Sequence, residues 1–323
     1  MSEQSLPVVG LLGPPSESSV RDEMARLLRQ VPAELVDFEP LPSGPGIAGL
    51  IVGPETTLDA SAVAQLPDLK VVATSSTGFD HVAVDAVTAR GGWVTNVVDY
   101  CTEEVADHTL ALVLALLRRL VYADRSVRRG EWASPDGVRR IAGTRLGLIG
   151  FGRIGQAVAK RAVALGMVVS AFDPAVSEES FTSASVRRCA SLGEVLSQSD
   201  VVSLHVPLSD ATRGLLDATA LAQLPAGSFV VNAARGGVVD QEALVDALVA
   251  GHVGGAGLDV FAQEPLSVDD PLSRLGNVVL TPHIAWESAD ARRAVFVRAA
   301  QCAAAVLRGD EPGDVVGRPQ ASR

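Results

Sequence analysis

The chain has 323 residues, 47% hydrophobic and 20% charged, with a formal net charge of −11. This mix is globular rather than disordered, and the length exceeds what one compact core usually holds, so two domains are expected. The acidity argues against a nucleic-acid or anionic-membrane surface, while leaving room for a local basic pocket for an anionic substrate. Cys101, Cys189 and Cys302 are far apart and in no metal-like spacing, which points to reduced thiols in a cytoplasmic protein and to no metal site. The amino terminus has no basic region before its apolar run, so no secretory signal is read. The most apolar helix-like run, Thr109 to Leu117, is too short to span a bilayer.

Taken in order, Val8 to Leu12 predicts a first strand, followed by the turn Gly13-Pro14-Pro15 and an amphipathic helix from Ser16 to Leu28. Strands follow at Glu34 to Phe38, Gly49 to Val52, Val71 to Thr74 and Trp93 to Asn96, with helices at Ala60 to Leu66 and Val84 to Arg90. Val105 to Val121 is apolar nearly all round and predicts one buried helix, suited to pass between domains or lie in a subunit interface. Arg125 to Arg140 reads as a polar arm or loop.

Leu146 to Ile149 is a short apolar strand that runs into Gly150, Gly152 and Gly155, at G-x-G-x-x-G spacing. A helix from Ile154 to Gly166 follows, and then a strand from Met167 to Phe172 ending in Asp173. Glycines at this spacing serve the tight turn, the approach of backbone to a pyrophosphate and the packing of helix on strand. The helix N-terminus offers N–H groups and partial positive charge to phosphate, and an acid at the end of the second strand can bind the adenosine ribose. Its charge would repel a ribose 2′-phosphate, and no arginine follows within several residues, so NAD is favoured over NADP.

Further strands are predicted at Val201 to His205, Phe229 to Asn232, Gly255 to Val260 and Val278 to Thr281. A terminal helix spans Ala289 to Leu307, and a polar, flexible tail starts at Gly309. Strands alternating with helices imply parallel pairing. Ligands in such sheets bind outside the carboxyl ends of strands, and Arg235, Asp259, Glu264 and His283 stand at or just beyond such ends.

The ordered motifs GFGRIG (150–155) with Asp173, HVPL (205–208) with Thr212, NAARGG (232–237), LDVFAQEP (258–265) and TPHIAW (281–286) resemble those of the D-isomer-specific 2-hydroxyacid dehydrogenases over nearly the whole chain. FDHV, DYCTEEVADH and TPHIAW look most like the branch related to phosphoglycerate dehydrogenase and C-terminal binding protein. The resemblance implies two Rossmann-like, doubly wound parallel-sheet α/β domains. A flavodoxin-like substrate domain would comprise residues 1–97 and 287–323, and an NAD-binding domain 98–286. It also implies an active site in the cleft between them and a homodimer. Residue by residue, it places Arg153 and Ile154 on the pyrophosphate and Asp173 on the ribose. Val206, Pro207 and Thr212 would flank the adenine side, Thr77, Ala233 and Asp259 would lie toward the nicotinamide, and Ala234 would also contact the cofactor. Ser76, Thr77 and Gly78 would offer backbone N–H groups to the substrate carboxylate, and Trp286 an apolar wall beside His283. The chain departs from the family at Ser76, where glycine is common, and at Thr74, where arginine is frequent. Asp107 replaces a usual glutamate, and Val98 a usual proline.

Reducing a 2-keto acid needs a hydride donor, a carboxylate clamp, polarisation of the carbonyl and a proton. A nicotinamide supplies the first. Arg235 suits the clamp and the polarisation, because guanidinium matches carboxylate with two parallel hydrogen bonds. His283 suits proton exchange in both directions near neutral pH, and Glu264 on a neighbouring strand end would fix its tautomer. His81, His108, His205 and His252 read as structural. These residues favour a dehydrogenase over the alternative, an NAD(H)-sensing scaffold of the C-terminal binding protein kind. Formate or phosphite oxidation is disfavoured, since formate enzymes of this superfamily carry Gln where Glu264 stands.

Overall fold

A computed structural model of the chain describes residues 6–13, 15, 17–132 and 134–320. Pro14 and Ser16, in the anticipated first turn and helix start, lie outside the described residues. The chain forms two units, Met1–Cys101 with Ser288–Arg323, and Thr102–Glu287. The first crossing thus falls after Cys101 rather than after residue 97. The reason is local: the Val97 amide donates to the Ser76 carbonyl, and Arg298 donates to the Val98 carbonyl, tying this stretch to the first unit.

The first unit begins β1 (Val8–Leu12), α1 (Ser18–Arg29), β2 (Glu34–Asp37), β3 (Ile47–Val52), α2 (Ala60–Ala64), β4 (Val71–Thr74), α3 (Val84–Ala89) and β5 (Trp93–Thr95). The second unit contains α4 (Thr102–Leu117), α5 (Leu120–Arg128), β6 (Arg145–Ile149), α6 (Arg153–Ala164), β7 (Val168–Phe172), α7 (Glu178–Ser183), β8 (Arg187–Arg188), α8 (Leu192–Ser197), β9 (Val201–Leu204), α9 (Ala218–Leu221), β10 (Ser228–Asn232), α10 (Gln241–Val249), β11 (Val253–Leu258) and β12 (Val278–Leu280). The chain then returns to the first unit as α11 (Ala289–Arg308) and β13 (Val315–Gly317).

In the first unit the strand order is β13-β5-β4-β3-β1-β2, parallel except for β13. Apart from that edge strand this is the flavodoxin-like 2-1-3-4-5 order. All six residues of β3 are buried, as expected of a central parallel strand covered on both faces. The expected flexible tail is corrected here. Val315–Gly317 adds to the open edge of β5, and Asp314, just before it, is ion-paired with Arg298 of α11. An apolar pair completing a sheet edge outweighs the polar composition around it.

In the second unit the order is β12-β11-β10-β9-β6-β7-β8, parallel throughout. Counted along the chain, this is the Rossmann order 3-2-1-4-5-6 with one further strand. Side chains alternate across the sheet: Val230 of β10 joins the cluster with Leu204 and Leu258, while Phe229 and Val231 join the one with Leu112, Leu116 and Phe151. The chain reverses its winding between β6 and β9, and the crevice at that switch point is where ligands bind in such sheets.

The single helix expected over Val105 to Val121 is two helices. Arg119 adopts a left-handed conformation (φ 55°) and separates α4 from α5, whose last turn reaches into the segment read as a loop. The apolar surround of α4 is used within this unit, against α6 and the sheet. A Cβ added at Gly257 of β11 would come within 3.0 Å of Leu112 Cβ, so the glycine sets that close approach. Asp107 of α4 accepts a hydrogen bond from Arg161 of α6 at 2.6 Å, and Glu103 pairs with the same guanidinium.

Candidate active site

The glycine turn at the end of β6 is built as the dinucleotide fingerprint requires. Gly150 has φ 96°, and a Cβ there would lie 2.5 Å from the His205 carbonyl oxygen. A Cβ at Gly155 would run into the Gly150 carbonyl oxygen. Gly152 caps α6 with open space where its side chain would be, so a phosphate can approach the backbone closely. Arg153 and Ile154 begin the helix, at the end whose dipole favours anions. Beneath the turn, Phe151 is fully buried and stacks on Phe181, with ring centroids 4.5 Å apart.

Asp173 follows β7. One carboxylate oxygen accepts the Phe151 amide at 2.8 Å and the other the Ala175 amide at 2.9 Å. The acid is thereby fixed in orientation, and it also ties the glycine turn to β7. Beside it opens a cavity of about 510 Å³, lined among others by Pro174, Glu178, Arg188 and Ala190. These residues fit a dinucleotide: a phosphate cradle open at Gly152, then an oriented carboxylate, then a recess.

After β9, the His205 amide donates to the Ile149 carbonyl at 2.7 Å, and the imidazole pairs with Ser203 at 2.9 Å. Burial lowers the His205 pKa to about 4, so its ring is neutral. Val206 lies against Gly150, and the Thr212 hydroxyl donates to the Pro207 carbonyl at 2.5 Å, closing the loop that carries these residues.

After β10, Asn232 brackets the Ala233-Ala234-Arg235 turn. Its Oδ1 accepts the Ala234 amide at 3.0 Å, and its Nδ2 donates to the Arg235 carbonyl at 2.9 Å. The Arg235 guanidinium donates to the Ala234 carbonyl at 2.7 Å. Gly236 is pressed so closely on the Phe261 carbonyl that no side chain fits. Arg235 is near enough to Glu264 for its charge to act on that carboxylate.

Glu264 accepts the Phe261 amide at 2.9 Å through one oxygen, and its other oxygen lies 2.7 Å from His283 Nδ1. Burial pushes the Glu264 carboxyl up. The hydrogen bonds from His283 and Phe261 and the charges of His283 and Arg235 outweigh this and hold it below the usual glutamate value. An ionised carboxylate only accepts, so Nδ1 carries the proton and Nε2 is the ring nitrogen left for proton exchange.

His283 has a left-handed backbone (φ 55°), uncommon for a residue with a side chain and typical of functional sites. Asp259 holds it there. This fully buried carboxylate accepts the Thr281 hydroxyl at 2.5 Å and the Ile284 and Ala285 amides at 3.0 and 2.8 Å, while its own carbonyl accepts the His283 amide at 2.8 Å. Its oxygens thus serve the 281–285 loop. His108 of α4, read from sequence as structural, meets the Thr281 hydroxyl at 3.0 Å and extends this network. The sequence carried no spacing signal that would have linked His108 to Thr281.

Arg235, Glu264 and His283 are therefore assembled within the second unit, and Trp286 belongs to the same unit at the end of the His283 loop. Ser76, Thr77 and Gly78 belong to the first unit. There the Thr74 hydroxyl donates to the Ser76 carbonyl at 3.0 Å, Ser76 to the Gly78 carbonyl at 2.6 Å and Thr77 to the Val97 carbonyl at 2.9 Å. With the hydroxyls so engaged, it is the backbone of this loop that can serve a carboxylate. Among the described residues no group of His, Cys, Asp and Glu could hold a metal ion.

A two-unit α/β chain with a dinucleotide fingerprint at its switch point, and an acid, a base and a guanidinium on nearby strand ends, has the form of a nicotinamide-dependent oxidoreductase. Residues 110–285 match the family described as D-isomer specific 2-hydroxyacid dehydrogenase, NAD binding domain. The chain is 41% identical over 317 residues to D-3-phosphoglycerate dehydrogenase of Mycobacterium tuberculosis, covering 97% of this chain and 59% of that protein. It is 40% identical over 266 residues to glyoxylate reductase of Thermofilum pendens, covering 81% of this chain and 78% of that one. Its fold is similar to that of D-lactate dehydrogenase from Aquifex aeolicus, solved with NAD and lactic acid, with a TM-score of 0.87 at 28% identity over 97% of this chain and all of the other. The chain belongs to the D-isomer-specific 2-hydroxyacid dehydrogenase family, and it spans well under two thirds of the phosphoglycerate dehydrogenases it matches.

Proposed function

We propose that this protein is an NAD-dependent oxidoreductase that interconverts a 2-keto acid and a D-2-hydroxy acid. The observation that carries the reading is the His283–Glu264 pair, 2.7 Å apart, with Arg235 close enough to act on the same carboxylate. When bound, the nicotinamide supplies or accepts the hydride. Arg235 clamps the substrate carboxylate and draws electron density toward the carbonyl oxygen. His283 gives that oxygen a proton from Nε2 in reduction and takes it back in oxidation, while Glu264 holds the ring in the required tautomer. Gly150, Gly152, Arg153, Ile154 and Gly155 receive the pyrophosphate, and Asp173 the ribose. Val206, Pro207 and Thr212 flank the adenine side, with Ala233 and Ala234 toward the nicotinamide. Asp259, with its oxygens in the 281–285 loop, acts by positioning His283. Trp286 suits an apolar substrate side chain.

The protein is further assigned to the cytoplasm and to a homodimer. Its three cysteines are buried free thiols, and no described helix is long and apolar enough to cross a membrane. Leu120 and Val127, seven residues apart on one side of α5, are each 54% exposed, and Trp132 just beyond the helix is 93% exposed, apolar surface that fits a second copy of the chain. Sedimentation of the wild type and of Leu120→Asp tests the dimer.

Consumption of NADH with a panel of 2-keto acids tests the main reading. Turnover with at least one, and its loss in His283→Ala, is expected. NADH-dependent peptide binding without turnover on any acid would favour a sensing scaffold instead.

A further inference from the structure

The cavity beside Asp173 holds more charge than ribose binding needs. It is lined by two carboxylates, Asp173 and Glu178, and by one guanidinium, Arg188. In sequence Arg188 is remote from Asp173. The parallel pairing of β8 with β7, which sets Arg188 opposite Ala171, brings it back to the end of the strand. Its guanidinium lies over the Phe181 ring, 5.3 Å from the centroid, and donates to Glu178 at 3.1 Å. The adjacent Arg187 is engaged elsewhere, with Glu194 and Gln198, each at 2.6 Å. Of the two arginines only Arg188 lines the cavity.

We propose that the Glu178–Arg188 pair is a second determinant of coenzyme choice, acting beside Asp173: Arg188 is a latent ligand for a phosphate on the ribose 2′ oxygen, and Glu178 keeps it neutralised. The proposal rests on the assignment of the glycine turn and Asp173 to a dinucleotide. Three features favour it. A guanidinium presents a planar fork that suits phosphate as well as carboxylate, so the two anions compete for the same donors. The ring of Phe181 fixes the height of that fork while its edge stays accessible, since the Arg188 side chain is 35% exposed. The Glu178 side chain is 69% exposed, and a pair so open to water is held weakly enough to be exchanged for a doubly charged phosphate. With both acids ionised the recess has net charge −1; removing the Glu178 charge makes it neutral and leaves a cation facing the ribose.

The test is direct binding of NADH and NADPH, followed by calorimetry or nucleotide fluorescence, without any substrate. The quantity read is the ratio of the NADPH Kd to the NADH Kd. In Glu178→Gln this ratio falls by about tenfold, equivalent to one charge-assisted contact. In Arg188→Ala it rises, because Glu178 is left uncompensated. In the double variant the fall seen in Glu178→Gln disappears. The effect shrinks as salt is raised. An unmoved ratio in Glu178→Gln, or an equal fall with and without Arg188, overturns the proposal while leaving the cofactor assignment intact. Failure of the wild type to bind NADH overturns the cofactor assignment itself, and this proposal with it.

Discussion

His283 Nδ1 lies 2.7 Å from a Glu264 carboxylate oxygen whose partner oxygen is anchored on the Phe261 amide. The imidazole is thus oriented by a group that is itself fixed to the backbone. Glu264→Gln keeps the shape and removes the charge, and the amide can present either end to the ring. A fall in kcat of about 10²-fold or more is expected, with His283→Ala falling by about 10²- to 10⁴-fold. NADH affinity, read by fluorescence, should move little in either variant. A parallel loss of nucleotide binding would contradict the assigned roles. Because the Glu264 carboxyl is held below its ordinary value, its contribution to the pair is present above about pH 4.5 and is lost only as pH falls through the lower folded value.

Arg235 is set by the Asn232 bracket and by Gly236 packed on Phe261. Arg235→Lys keeps the charge but loses the fork. KM for the 2-keto acid should rise by about tenfold or more, and kcat should fall as well if, as proposed, the same group polarises the carbonyl. Steady-state kinetics separate the two parameters. A change confined to nucleotide affinity would argue that the guanidinium faces something other than substrate.

Asp259 explains why His283 tolerates φ 55°. Two amides and a hydroxyl of the 281–285 loop converge on its buried oxygens. Asp259→Ala leaves those donors without an acceptor and releases the loop, at about 1–3 kcal/mol for each buried donor left unpaired. Turnover and thermal stability should fall together, with Asp259→Asn intermediate. Loss of turnover with an unchanged melting temperature would mean that Asp259 acts on the reaction directly.

The strand ends that hold the candidate site residues were legible in the sequence. Gly150, Arg235, Asp259 and His283 each follow a short apolar run, and parallel strands buried on both faces read as such runs. The alternation of strands and helices gave the α/β class, while the doubly wound topology that the pairing shows was implied by the motif resemblance and not by the alternation. Other features left no local signal. Neither Gly nor Pro marks the break at Arg119, so Val105 to Val121 read as one helix. The strand Val315–Gly317 is three residues in a polar tail, and its partner edge on β5 is more than 200 positions away in the chain. Arg188 was too far from Asp173 in sequence to be linked to it, because a parallel crossover, not a spacing, closes that distance. A buried carboxylate that organises a loop, such as Asp259, has the same letter and strand-end position as one that binds a ligand.

His205 gives the second unit a specific acid sensitivity. Its imidazole is kept neutral, with burial lowering the pKa from 6.5 to about 4. In the unfolded chain the ring takes a proton as pH drops through 6.5, whereas in the folded chain it does so only near 4. Between these values the unfolded state binds more protons, so stability falls as pH falls through this window and loses nothing further from this group below about 4. The full difference is of order 3 kcal/mol. Urea unfolding at pH 7.5 and at pH 5 should therefore show a smaller acid loss for His205→Gln than for the wild type, even though the variant starts less stable at neutral pH through its altered contact with Ser203. Equal acid losses in the two proteins would show that the acid sensitivity arises from groups other than His205.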